Sequence, residues 1–241
     1  MLELYQFQHS ASCLKVRLAL KAKGLTFRAV DITPGIDQVN VFKISGQRQV
    51  PVLKNEEKVI SDSNAIIEYL ETIKKEPSLF PNEPIEAARA HIMQDWADTT
   101  LAKAIQSELI KATSLDPFLR DALLPKVLPN SLKGFVNNFS CELLNGVNQV
   151  FNPRESKKLL SSLEKLSNAV SCNQWLVGNC LSIADIAISA QLSLLKFPVS
   201  SGKNLCGKGC PGFSDNPQLE ALFKWRDEIE DLILETDPAI V

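Results

Sequence analysis

Three short stretches of this chain hold residue types that could do chemistry at useful spacings. In Ser10-Ala11-Ser12-Cys13, two hydroxyls and a thiol stand directly ahead of an apolar-periodic run. A hydroxyl at Ser10 or Ser12 can cap the helix that such a run predicts, by accepting one of its orphan N–H groups. A thiol at a helix start feels the positive end of the dipole, so Cys13 is expected to ionise more easily than a free thiol and to support mixed-disulfide exchange. Its structural alternative is a buried, inert thiol. In Gln49-Val50-Pro51, the X-Pro bond is of the one type in which a cis peptide is cheap. In Ser61-Asp62-Ser63-Asn64, acid and hydroxyls crowd a second helix start, which they can cap and which can also receive an anionic or zwitterionic ligand.

The surrounding patterns supply the elements that must carry these groups. Leu2, Leu4 and Phe7 alternate with polar residues as a short strand; Val16, Leu18, Ala19, Leu20 and Ala22 form a helical stripe that ends at Gly24, with Lys15, Arg17, Lys21 and Lys23 read as its solvated side. Phe27 to Ile32 is a second strand, parallel to the first because a helical crossover separates them. After a polar stretch from Thr33 to Arg48, Gln49 to Lys54 reads as a strand with Pro51 inside it, Lys58 to Ile60 as its partner, and Ala65 to Leu70 as a capped helix. Pro77 to Pro84 holds three prolines and reads as a linker. Beyond it the periodicity is helical, over Ile85 to Ala104, Arg154 to Val170 and Ser182 to Leu195; the last, apolar nearly all round, is expected inside a bundle.

Bulk properties narrow the function classes. With 241 residues, 45% apolar and 22% charged, the chain can bury a sizeable core, in one large or two modest domains. A net charge of −2 offers no basic field for a nucleic acid. No run approaches the length of a membrane span, and the acidic start is unlike a secretory leader, so a cytoplasmic location is expected. The six cysteines are too scattered for a disulfide scaffold and are expected reduced. Cys206 and Cys210 have only His9 and His91 as imidazole companions, both far upstream, so no metal is expected.

Three stretches, in order, resemble the glutathione transferase superfamily. Ser10 to Leu20 is similar to the first helix of its serine- and cysteine-type members, the zeta and theta classes especially. Gln49-Val50-Pro51-Val52-Leu53 followed by Asp62 to Leu70 resembles its cis-proline strand and acid-Ser helix start; Trp175-Leu176-Val177-Gly178 running into Leu181 to Ile186 resembles the staple and capping box of its helical domain. The chain departs from the pattern at Ser45-Gly46-Gln47-Arg48, at Asp62 where Glu is usual, and at Ala11.

The resemblance implies a fold of α/β plus all-α type: a thioredoxin-like βαβ-ββα domain over residues 1–76, a linker over 77–84 and an all-helical domain over 85–241. It implies glutathione as co-substrate, an electrophilic small molecule as its partner, a homodimer and a role in detoxification. Ser10 takes the catalytic position and would stabilise the thiolate, with Ser12 and Cys13 beside it. Val50 would present main-chain groups to the cysteinyl part of glutathione, Pro51 being cis; Asp62 and Ser63 would take the γ-glutamyl end and Gln49 the glycine side. Other readings stay open at this point: a non-catalytic carrier of glutathione or apolar ligands, a thioltransferase working through Cys13, or an isomerase of the maleylacetoacetate type. Ser182 and Asp185 are assigned to folding, as a capping box.

Overall fold

Four strands form a mixed sheet in the order β2-β1-β3-β4: β1 (Leu2–Gln6), β2 (Phe27–Asp31), β3 (Val52–Asn55) and β4 (Lys58–Ser61). The computed structural model describes residues 1–33, 36–123 and 153–235. β1 and β2 run parallel, Leu2 opposite Phe27; β3 runs antiparallel to both β1 and β4. Their connections are α1 (Ala11–Ala22), the crossover between the parallel pair, and α2 (Gln38–Ser45); α3 (Ser63–Ile73) follows β4. This is the expected βαβ-ββα unit with a thioredoxin-like sheet. Pro51 lies just ahead of β3 rather than inside it, which corrects the expectation: the strand starts once residues with an N–H to give are available.

The remainder is helical: α4 (Pro84–Trp96), a π-helical turn at Ala97–Leu101, α5 (Ala102–Leu115), α6 (Pro117–Leu123), α7 (Pro153–Cys172), α8 (Ile183–Leu192) and α9 (Glu220–Glu235). Every residue of α8 is buried, as its unbroken apolar pattern predicts. α8 packs against α1, α4 and α9, so one apolar cluster joins Val16, Ala19 and Leu20 of α1 to Ile183, Ala187 and Ile188 of α8. Asp185 fixes the entry to α8: it accepts from the Ser182 and Leu176 N–H groups, each at 2.8 Å, and from the Ser182 hydroxyl at 2.7 Å. Even with those donors, burial pushes its carboxyl above the usual range.

Two of the cations assigned to a solvated side of α1 are instead buried. Lys15 is 1% exposed and bonds Asp98 at 2.5 Å and Asn64 at 2.6 Å; Lys23 is 0% exposed and bonds Glu71 and the Pro77 carbonyl, both at 2.8 Å. A stripe on an isolated helix identifies one apolar face, whereas α1 packs against α3, α8 and α9 and is covered on more than one side. The linker is pinned as well, since the Leu79 N–H reaches Glu71 and the Ile183 N–H reaches the Leu79 carbonyl.

The loop that carries Cys206 and Cys210 is tightly held. Phe197 exchanges backbone bonds with Lys208 and Gly207, and the Cys210 N–H donates to the Leu195 carbonyl at 2.8 Å. Gly209 sits against that turn so closely that a Cβ there would run into the Leu195 carbonyl. Cys210 is buried, and desolvation raises its thiol to about 12, so it is a packing group. Cys141 lies outside the described residues.

Candidate functional site

The register gathers the three chemical stretches at one end of the sheet. Tyr5 pairs with Val52, and Val52 with Ser61. The turn into α1 after β1, the residue before β3 and the start of α3 after β4 therefore share an edge, with neighbouring strands about 4.8 Å apart. Into that edge come Ser10, the cis Val50-Pro51 bond, and Asp62 with Ser63.

Ser10 is the N-cap of α1: its Oγ accepts from the Cys13 N–H at 3.3 Å, while its backbone is extended at φ −89°, ψ 125°. That bond uses a lone pair and leaves the hydroxyl proton for another acceptor. Cap and proton donor are thus compatible roles for one serine. Cys13, three residues on, is withdrawn from solvent. It is fully buried, the Phe7 N–H donates to its Sγ at 3.5 Å, and burial raises the thiol against the opposing pull of Ser10, Phe7 and Arg17. Of the two readings that the sequence left open for Cys13, the buried thiol is the one found: the helix start is favourable, but desolvation outweighs it. Ser12 is half-buried on the same turn.

Asp62 caps α3 by accepting from the Asn64 and Ala65 N–H groups at 2.8 and 3.2 Å. It does so at φ +78°, a conformation that residues with a side chain rarely adopt and that costs on the order of 1–3 kcal/mol. The exposed Asp62 and buried Ser63 stand at the positive end of an eleven-residue helix, while Gln49 is exposed and Val50 half-buried at the strand start.

The two sides of this edge are tied to the helical domain by a buried polar chain, for which the sequence held no local signal. Lys15 of α1 bridges Asn64 of α3 and Asp98 in the π turn, and Gln94 of α4 donates to Asn64 at 2.8 Å. Burial draws the Lys15 ammonium below its ordinary range, opposed chiefly by Asp98.

A cavity of about 320 Å³ opens at Ser10, along the face of α1 that carries Leu14, Arg17, Leu18 and Lys21. Its far walls are Asp31 of β2, the segment from Ser193 to Ser201, and Glu230 of α9. Arg17 donates to Gln6 at 2.7 Å and to the Gln8 carbonyl at 3.0 Å, and Gln6 donates to Asp31 at 2.8 Å. Gln49, Val50, Pro51, Asp62 and Ser63 do not line it, so Ser10 is the point where the cavity meets the strand-end cluster. A second cleft, of about 400 Å³, lies between the π turn and α7, lined by Trp96, Thr99, Thr100 and Leu159. Among the described residues no group of three His, Cys, Asp or Glu side chains is arranged to hold a metal, and no helix is long and apolar enough to cross a membrane.

Residues 4–78 match the family described as the N-terminal domain of glutathione S-transferase. Together with the sheet, the cis-proline and the helical domain, this defines the class: the chain belongs to the glutathione S-transferase superfamily. Among curated relatives, protein LigF of Sphingobium is 27% identical, with 95% of this chain and 89% of that protein covered. Mouse glutathione S-transferase theta-3 is also 27% identical, covering 95% and 82%. The fold matches a glutathione S-transferase from Rhodospirillum rubrum with a TM-score of 0.66 at 23% identity, over 95% of this chain and 88% of that one.

Proposed function

We infer that this chain binds glutathione at the strand-end edge, lowers the pKa of its thiol through Ser10, and delivers the thiolate to an electrophilic small molecule. A free thiol is only a few per cent ionised at neutral pH. A hydroxyl donating to the sulfur, backed by the α1 dipole, favours the anion. The thiolate then forms a carbon–sulfur bond as the electrophile's leaving group departs with its electron pair. The Val50 main chain beside cis Pro51 would hold the cysteinyl part, Asp62 and Ser63 the γ-glutamyl ammonium and carboxylate, and Gln49 the glycine end; Ser12 stands within the same turn. The observation that carries the reading is the Ser10 cap, whose Oγ accepts from the Cys13 N–H at the positive end of α1 and at the wall of the cavity. The buried, raised thiol of Cys13 speaks against the thioltransferase alternative.

A homodimer fits the exposed apolar side chains Phe42, Ile92, Ile110 and Phe118, and a cytoplasmic transferase of detoxification type is the setting we favour. The test is ultraviolet titration of bound glutathione near 240 nm. Wild type is expected to hold a thiol pKa well below the free value. Ser10→Ala is expected to raise it by about one unit, worth about 1.4 kcal/mol, and Ser10→Thr to restore it. A bound thiol indifferent to Ser10 would sink the serine mechanism; no binding at all would sink the glutathione site.

A further inference from the structure

Asn64 stands where three elements meet. It follows Ser63 directly in the first turn of α3, and its N–H donates to Asp62 Oδ1 at 2.8 Å. Its own Oδ1 accepts twice, from Lys15 Nζ of α1 at 2.6 Å and from Gln94 Nε2 of α4 at 2.8 Å. Lys15 continues the chain of bonds to Asp98 Oδ2 of the π turn at 2.5 Å. Lys15 and Gln94 are 1% and 4% exposed, so neither is open to a ligand. The chain thus runs from the helical domain through buried groups to the exposed cap of α3.

Stability does not account for this arrangement. Asp98 Oδ1 is buried without a hydrogen-bond partner among the described residues. A buried ion pair left incompletely satisfied is commonly matched or exceeded by apolar residues of similar volume. Burial draws the Lys15 ammonium down against the pull of Asp98, Asp62 and Asp95, so one buried cation acts on three carboxylates. What the chain of bonds does fix is position. Asp62 holds φ +78°, and such a backbone persists only where its surroundings over-determine it. Asn64, bonded to Asp62 and held from both α1 and α4, supplies that constraint.

We propose that Asn64 is a positioning residue: anchored by Lys15 and Gln94, it holds the first turn of α3 in the conformation that takes the γ-glutamyl end, and so makes glutathione affinity depend on the docking of the helical domain. The inference rests on the glutathione reading above and deepens it by naming what sets the γ-glutamyl subsite. Asn64 acts through Asp62 and Ser63, and ionisation of the thiol stays with Ser10. A supporting group of this kind governs how tightly a ligand is held rather than what happens to its reacting atom.

The experiment compares, by calorimetry, binding of glutathione and of cysteinylglycine, which lacks the γ-glutamyl group. The proteins are wild type, Asn64→Ala, Asn64→Asp and the double variant Lys15→Met with Asp98→Leu. Asn64→Ala is expected to bind glutathione about ten-fold more weakly, the scale of losing two hydrogen bonds of which one is to a charged group. Asn64→Asp keeps an acceptor for Lys15 and Gln94 and is expected to stay within about three-fold of wild type. The double variant fills the space with apolar groups but removes one anchor, and is expected to lose several-fold in glutathione affinity while remaining folded. Cysteinylglycine is expected to bind all four alike, and glutathione on Asn64→Ala to keep the wild-type thiol pKa in the 240 nm titration. Glutathione affinity unchanged in Asn64→Ala and in the double variant overturns the proposal and leaves the network as a brace between domains. Equal losses for glutathione and cysteinylglycine overturn it too, because the damage is then not confined to the γ-glutamyl subsite. Failure of wild type to bind glutathione defeats the proposed function itself, and this inference with it.

Discussion

At the position of Ser10 and Cys13 two nucleophile-bearing residues three apart meet opposite fates. Both sit at the start of α1 and share its dipole, yet one lines a cavity and the other is wholly buried. The sequence made the cap legible, because a hydroxyl ahead of an apolar-periodic run has few other uses. It left the thiol open, since burial depends on what lies over the turn. The contrast gives a direct outcome. Cys172, Cys180 and Cys206 are exposed and Cys13 and Cys210 buried; under native conditions a maleimide, read by peptide mass spectrometry, is expected to label the first three within minutes and the last two only on unfolding. Rapid native labelling of Cys13 would contradict the structure and revive a thioltransferase role. Glu230 was beyond reach from sequence, because nothing in a charged amphipathic helix says which acid turns inward.

α1 is the element on which the architecture depends. It packs against α3, α8 and α9, and Lys15 reaches across to α3 and the π turn. Reading Lys15 and Lys23 as solvated followed from treating α1 as a surface helix with a single stripe; a helix covered on two sides buries cations that find carboxylates, and those carboxylates lie 83 and 48 residues away. The strands, α3 and α8 were visible because their apolar spacing is local. α5 and α9 were not singled out, although both are amphipathic helices. For the Lys15–Asp98 pair, removing one partner strands a buried charge. Asp98→Ala is expected to lower stability by about 3 kcal/mol in urea denaturation. Lys15→Met with Asp98→Leu is expected to recover most of that loss, and a double variant no more stable than Asp98→Ala would show that the pair is not coupled.

Across the whole molecule the two domains share a core, for the apolar cluster runs without a break from Leu4 and Ile66 to Ile188 and Phe223. They are therefore expected to unfold together. All three tryptophans, Trp96, Trp175 and Trp225, lie in the helical part, while Cys13 reports on the sheet side. Tryptophan fluorescence and Cys13 reactivity should have coincident urea midpoints; separated midpoints would mean domains that open independently. The π turn at Ala97–Leu101 has a practical bearing on comparison among relatives. Such a turn takes one residue more than an α-helical one, so side chains beyond it are turned by about 100° from where an uninterrupted helix would aim them. Trading substrate preferences between homologues by exchanging this helix position for position would misalign every residue after Leu101 wherever the donor lacks the turn. The extra residue has to travel with the graft.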